Sequence, residues 1–373
     1  LGLPRESLEI IIGVVPPGAG KAPIKPSFKT VRLAPRFVRF FWDKWTFAKH
    51  LETNYPRLYR DSRRYPVDPA SELDERELLA VIDQLTPLCE EASYDTIVTI
   101  ILMQAYNGLL KARLQGSGVD FQKFDLTEGM IELSQYDPTI SIANLNRQFE
   151  QLDEAKKDQI KAGGYNAFQR MTGIDEFQKE VASLFEQFGH LSDSSGHFGE
   201  KPWRETPDLI IELITNYEAP KEAPSDTVRL NDLPLNGFNG LGLKFLYHRA
   251  RQFRVLRERY SSLFSYYLML FRAYYLSIGE KFVARQLLHS KDDILFLYDE
   301  EVRAFIQGKR TGEDFNNLVL QRKDEFSNCK DAIMPEVIFG DSLPPIITSF
   351  SDKLSGTPTS RGYYKGPAKV VLG

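Results

Sequence analysis

Cysteine is scarce in this chain: two in 373 residues, Cys89 and Cys329, far apart in helix-like sequence. That excludes a disulfide framework and a thiolate zinc site, and it fits a reducing, cytoplasmic compartment. Positive charge is not in excess either; the formal net charge of −4 argues against a general nucleic-acid binder. No apolar run is long enough for a bilayer, because the best candidate, 263–278, falls short of the roughly 20 residues a span needs and contains Arg272. The first residues do not read as a secretory signal. Neither nucleic acid nor a membrane is therefore an expected partner. A nucleophile elbow, a zincin helix, a Walker loop, a dinucleotide fingerprint and internal repeats are all missing.

What is present is a core-forming composition, 42% hydrophobic and 12% aromatic, arranged mostly at helical spacing. The expected class is mainly α: a multi-helix domain with a few short strands, and a β-containing unit opening at the C-terminal end. Residues 1–13 read as a short helix and 14–29 as a proline-rich connector. Phe37, Phe41, Trp45, Ala48 and Leu51 predict one face of an amphipathic helix, and Asp74 with Glu77 has capping-box spacing. Pro87 is expected to end or kink the helix that follows. A second apolar helix then runs over 94–114, on which Met103 and Tyr106 read first as core and second as ligand-pocket lining.

The stretch 116–138 reads as a mixed loop, with helices over 140–162 and 174–188. Phe177, Val181, Leu184, Phe185 and Phe188 form a stripe on the latter. Thr206 and Pro207 read as an N-cap and a first-turn proline. After a connector at 218–242 comes the longest helical pattern, 243–289, arginine-rich in its first half and aromatic in its second. The run 294–298 (ILFLY) looks like a strand. Helices near 300–307 and 312–328 follow. Residues 341–360 have linker composition, and 361–373 alternate like a first strand. The expected division is thus a helical domain over 1–340, a linker over 341–360 and the start of a second domain over 361–373. Beginning at Leu1 and stopping at Gly373 within that strand-like run, the chain reads as a piece of a longer protein.

The densest cluster of unusual side chains lies at 185–213, FEQFGHLSDSSGHFGEKPWRETPDLIIEL. A polar, glycine-punctuated loop between two helices is where a site is often built. His190, Asp193 and His197 are usable metal ligands, but nothing in their spacing fixes a coordination geometry. Serine and glycine amides could instead form an anion nest, and a structural turn pinned by Trp203 accounts for the same residues. The arginines at 249, 251, 254, 257 and 259 read as a solvated flank or an interface, with anion binding as the alternative. From the residues alone this is a helical binding module without a self-contained catalytic constellation.

Three blocks resemble the phosphoenolpyruvate-utilising phosphotransferases, the family of phosphoenolpyruvate synthase-like proteins and rifamycin phosphotransferases. FGHLSDSSGHFGEKPWRETPDLI, over 188–210, is similar to a signature of that family's middle domain, with Leu191 where many relatives place an arginine. Gly279-Glu280-Lys281-Phe282-Val283-Ala284-Arg285 and Asp292-Asp293-Ile294-Leu295 resemble the turn after its long helix. Leu354 to Gly362, with Gly366 and Val370, resembles the opening of the swivelling phosphohistidine domain.

The resemblance implies a phosphotransferase of the pyruvate, water dikinase type. In it an ATP-grasp domain using ATP and magnesium phosphorylates a histidine on a mobile domain, which swivels toward an acceptor such as pyruvate. This chain would be the helical middle part, with no cofactor of its own and no activity alone. Its partners would be the ATP-grasp and phosphohistidine domains of the same polypeptide and a small-molecule acceptor. The phosphoryl-carrying histidine is not among the five present. His190, Asp193, Trp203 and Arg204 would border the acceptor cleft, and Trp45, Met103, Tyr106 and Tyr267 would line an apolar pocket. A rifamycin-type acceptor domain and a non-enzymatic helical scaffold remain as alternatives.

Overall fold

The computed structural model describes residues 28–69, 72–192, 199–218, 227–233, 237–309 and 315–328, with side chains of 28–41 and 237–239 not described. The expected helix at 1–13, the linker and the C-terminal strand lie outside these residues. Among the described residues the chain is mainly α. In order the helices are α1 (Phe28–Ser62), α2 (Glu75–Gln115), α3 (Pro138–Glu150), α4 (Glu154–Arg170), α5 (Asp175–Phe188), α6 (Pro207–Thr215), α7 (Gly237–Ala284), α8 (Asp299–Ile306) and α9 (Phe315–Asn328).

Helix α7 is the axis of the fold. Along it Phe253, Tyr260, Tyr267 and Tyr274 recur every seven residues, and all four are fully buried. A buried tyrosine needs a partner for its hydroxyl, and here α1 supplies two. Tyr260 Oη donates to the Leu51 carbonyl at 2.9 Å and Tyr267 Oη to the Leu58 carbonyl at 3.0 Å. Donors and acceptors share the seven-residue interval and ascend together, so α1 and α7 run parallel, in the register of a coiled-coil seam. Helix α2 packs antiparallel to both. Its start is tied to the end of α7 by Glu75 and Arg285, its middle by Thr96 Oγ1 donating to the Tyr260 carbonyl, and its end by Tyr106 stacked on Phe253. The side of α1 that faces this core is Phe47, Ala48, Leu51 and Leu58, while Trp45 is 53% exposed and stacks on Phe245. The expected stripe through Trp45 is therefore rotated.

The capping box at Asp74 and Glu77 forms in both directions. Pro87, expected to end or kink its helix, does not end it; α2 runs through it and is 41 residues long in all. A mid-helix proline costs about 3 kcal/mol, and burial of Leu85 and Ala92 on either side against the core offsets it. The single helix expected over 140–162 is two, because Asp153 caps a new start by accepting from the Lys156 amide. Thr206 makes no side-chain cap; its hydroxyl bonds the Pro202 carbonyl instead.

The expected strand at 294–298 is a 3-10 turn, Lys291–Phe296. No strand edge lies beside it among the described residues, where only an isolated bridge between Phe124 and Val228 has β character. Its backbone is satisfied locally, with Asp293 N bonding the Ser290 carbonyl and Leu297 N the Ile294 carbonyl. Ile294 then packs under α7 at Gly279, where an added Cβ would sit 2.4 Å from the Lys291 carbonyl oxygen. Because that neighbour is backbone, Gly279→Ala should cost about 2 kcal/mol, readable as a lower urea midpoint with an unchanged slope.

Helices α3 to α6 form a second core between α2 and α7 in sequence. Phe177, Val181, Leu184 and Phe188 of α5 are buried there at the predicted spacing, with Phe149, Phe168, Ile210 and Ile214.

Candidate functional site

The 189–204 loop is stapled at its neck. After the α5 stripe ends at Phe188, Gly189 caps the helix and the chain reverses. It returns with Trp203 N donating to the Leu191 carbonyl at 2.7 Å and Arg204 N to the Gly189 carbonyl at 3.0 Å. The turn Trp203–Glu205 then leads into α6, where Asp208 accepts from the Tyr165 amide beside Gly164, a glycine held at φ 58°. Asp193 and His197 lie outside the described residues.

Behind the staple sits Arg272 of α7, 1% exposed. Its Nε and Nη2 grip both oxygens of Glu205 at 2.7 and 2.9 Å, Nη2 also reaches Asp292 at 3.1 Å, and Nη1 donates to the Gly199 carbonyl at 2.9 Å. A planar guanidinium suits this fork geometry, which an ammonium cannot copy. One buried cation thus joins the 188–210 block, the long helix and the turn at 292, elements that the sequence marks separately.

In front of the staple, the two cores leave a cleft of about 610 Å³. Helix α1 and the residues just past it contribute Tyr55, Tyr59 and Arg63. Opposite them stand Gln135 and Tyr136, then Glu186 and Gln187 of α5, with His190 and Ser262 of α7 also lining it. Gln187 fixes one wall by donating to the Gln135 carbonyl at 2.9 Å. His190 Nε2 lies 2.9 Å from Ser262 Oγ, and its ring meets Tyr266 edge-on. Burial lowers the His190 pKa to about 3, with the charges of Arg63 and Arg204 adding to the effect. The imidazole is therefore neutral at physiological pH, a hydrogen-bonding group rather than a cation or a strong base. Burial, and then a hydrogen bond with Tyr136, raises the pKa of Tyr55, so its hydroxyl stays protonated.

Of the residues singled out in the sequence, His190 lines this cleft. Arg204 is one layer away, paired with Glu186 at 3.3 Å, and Trp203 packs on the second core with its indole nitrogen unpartnered among the described residues. Trp45, Met103, Tyr106 and Tyr267 are not brought to it. Tyr106 is buried beneath Arg249, Met103 packs on the main core, and Tyr267 is committed to the Leu58 carbonyl. Within the arginine-rich part of α7, Arg249 binds the Trp45 carbonyl and Arg251 the Leu126 carbonyl and the Tyr247 hydroxyl. These two tie segments of the chain together. Among the lining residues that sequence reasoning missed are Tyr55, Tyr59, Arg63, Tyr136 and Ser262. A signal existed for three of them: 55, 59 and 63 are spaced by four and share a helix face.

Among the described residues no three His, Cys, Asp or Glu side chains converge as metal ligands. Among the described residues no helix is long and apolar enough to cross a membrane. No protein-family model matches the chain.

Proposed function

We propose that this helical unit is the acceptor-holding part of a cytoplasmic phosphotransferase similar to phosphoenolpyruvate synthase, with the cleft beside His190 receiving the acceptor. The observation that carries the reading is spatial. Residues of separate resembling blocks meet at Arg272, and the first block sets His190 against a cleft large enough for an organic molecule, within the range of small-molecule sites. Phosphoryl transfer from a carrier asks a protein mainly for positioning and charge stabilisation. Neutral His190 with Ser262 can orient an acceptor hydroxyl. ATP and the carrier histidine belong to other parts of the longer polypeptide, so the isolated chain should show no ATP-dependent phosphotransfer. Autophosphorylation of the purified chain would refute the assignment.

A second reading concerns the acceptor. The cleft of about 610 Å³ with three tyrosines on its walls is far larger than pyruvate requires and favours an aromatic or polyketide-like acceptor, as in a rifamycin-type antibiotic phosphotransferase. Thermal-shift titration of the chain with pyruvate, phosphoenolpyruvate and a rifamycin separates the two, because a ligand that prefers the folded state raises the melting temperature. A shift with pyruvate alone supports the metabolic acceptor and a shift with the rifamycin alone the antibiotic one. Absence of any shift counts against both.

A further inference from the structure

Arg63 is the cleft residue to which the acceptor reading gives no role. It follows the last turn of α1, and its guanidinium lies over the Tyr266 ring at 3.8 Å and the Tyr59 ring at 5.0 Å. Tyr266 is the ring that His190 meets edge-on, so the three groups form one wall. Ring stacking holds a guanidinium in place while leaving its N–H groups free to donate in plane. Among the described residues Arg63 has no carboxylate partner, in contrast to nearby Arg57, Arg60 and Arg64, all paired with Asp61. The other charged side chain on the cleft is Glu186, and Arg204 compensates it at 3.3 Å. Counting these three leaves one net positive charge, and it is on Arg63. Neutral His190 adds none. Hydroxyls of Tyr55, Tyr59, Tyr136 and Ser262 stand around it as neutral hydrogen-bonding groups.

We propose that the cleft selects an acceptor bearing an oxyanion, carboxylate or phosphomonoester, on a ring-sized body, and that Arg63 is the residue that makes the selection. The inference rests on the cleft being the acceptor site. A bidentate pair between guanidinium and oxyanion is among the stronger single contacts a partly wet site can make, and the tyrosine rings provide the surface for the body.

The test uses three probes that share one phenyl ring and differ in charge: benzoate, phenyl phosphate and benzyl alcohol, titrated by calorimetry into the chain, Arg63→Gln, Arg63→Lys and Arg60→Gln. Arg60 is a 69% exposed neighbour and serves as the control for nonspecific attraction. At least one oxyanion should bind the parent chain more tightly than benzyl alcohol. Arg63→Gln should weaken it at least tenfold, about 1.4 kcal/mol. Arg63→Lys should recover part of the loss, and Arg60→Gln should leave binding unchanged. The stronger of benzoate and phenyl phosphate tells carboxylate from phosphate. Equal binding of the alcohol, indifference to Arg63→Gln, an equal loss in Arg60→Gln, or no binding of any probe overturns the proposal. Oxyanion binding that depends on Arg63, alongside transfer in the longer polypeptide that ignores the cleft, would uphold this inference and remove the acceptor reading. Indifference to oxyanions with transfer lost in a His190 variant would do the reverse.

Discussion

Replacing Arg272 by alanine should destabilise the chain by about 2–4 kcal/mol, the largest loss expected from a single substitution outside the apolar cores. The cation is buried and, among the described residues, makes four hydrogen bonds, to Glu205, Asp292 and the Gly199 carbonyl. Removing it leaves two carboxylates facing each other across a cavity. Their side chains are 34% and 46% exposed, so water relieves part of the penalty, and the loss should stay below that of a fully enclosed pair. Arg272→Lys should recover less than half, because one ammonium cannot meet both Glu205 oxygens and the carbonyl at once. Adding Glu205→Gln to Arg272→Ala should cost less than the sum of the two, since the partners share one interaction. Urea denaturation of the parent and the four variants checks all three statements. Additive losses would mean that Arg272 is held by packing alone.

The second large effect depends on pH. His190 has a folded pKa of about 3 against an ordinary value of 6.5, so on acidification the unfolded chain takes up the proton first. The stability attached to the neutral ring is complete above about pH 6.5 and is lost progressively as the pH falls toward about 3. Between pH 7 and pH 5 the loss from this one group should be about 2 kcal/mol. At 6% exposure little solvent is present to screen it. His190→Gln keeps a hydrogen-bonding side chain beside Ser262 and cannot titrate. The gap between parent and variant should therefore narrow by that amount between the two pH values, whatever the carboxylates contribute to both. A gap independent of pH would place the imidazole in contact with water and deny it the buried position on which its role depends.

Local features of the fold were legible in the sequence. The α5 stripe, the Asp74 capping box and the long α7 pattern all rest on spacing within one element. What spacing could not show was competition between elements. Pro87 satisfies every local rule for a break, yet the buried faces on either side carry the helix through it. The ILFLY run has strand composition, but a strand needs an edge to pair with, and its apolar residues are used under Gly279 instead. Arg272 is the most instructive case. In the sequence it only argued against a membrane span, whereas in the fold a lone charge inside an apolar helix is a buried anchor whose carboxylates lie 67 and 20 residues away. The cleft was the least legible feature, because its walls come from α1, the 131–136 turn, α5 and α7, whose meeting is set by tertiary packing. Of the eight residues the resemblance pointed to, seven are described, and among those His190 is the one that lines the cleft.

The central claim is that the His190 cleft receives an acceptor while the phosphoryl chemistry starts elsewhere. Its most direct test separates the two half-reactions in the longer polypeptide, carrying either His190→Gln or Ser262→Ala. Labelled phosphate from ATP should still reach the carrier histidine at close to the parent rate, while onward transfer to the acceptor should fall on the order of 10²-fold from lost positioning. Onward transfer at the parent rate in both variants, with both folded, would contradict the account and leave the cleft a structural seam between two helical cores.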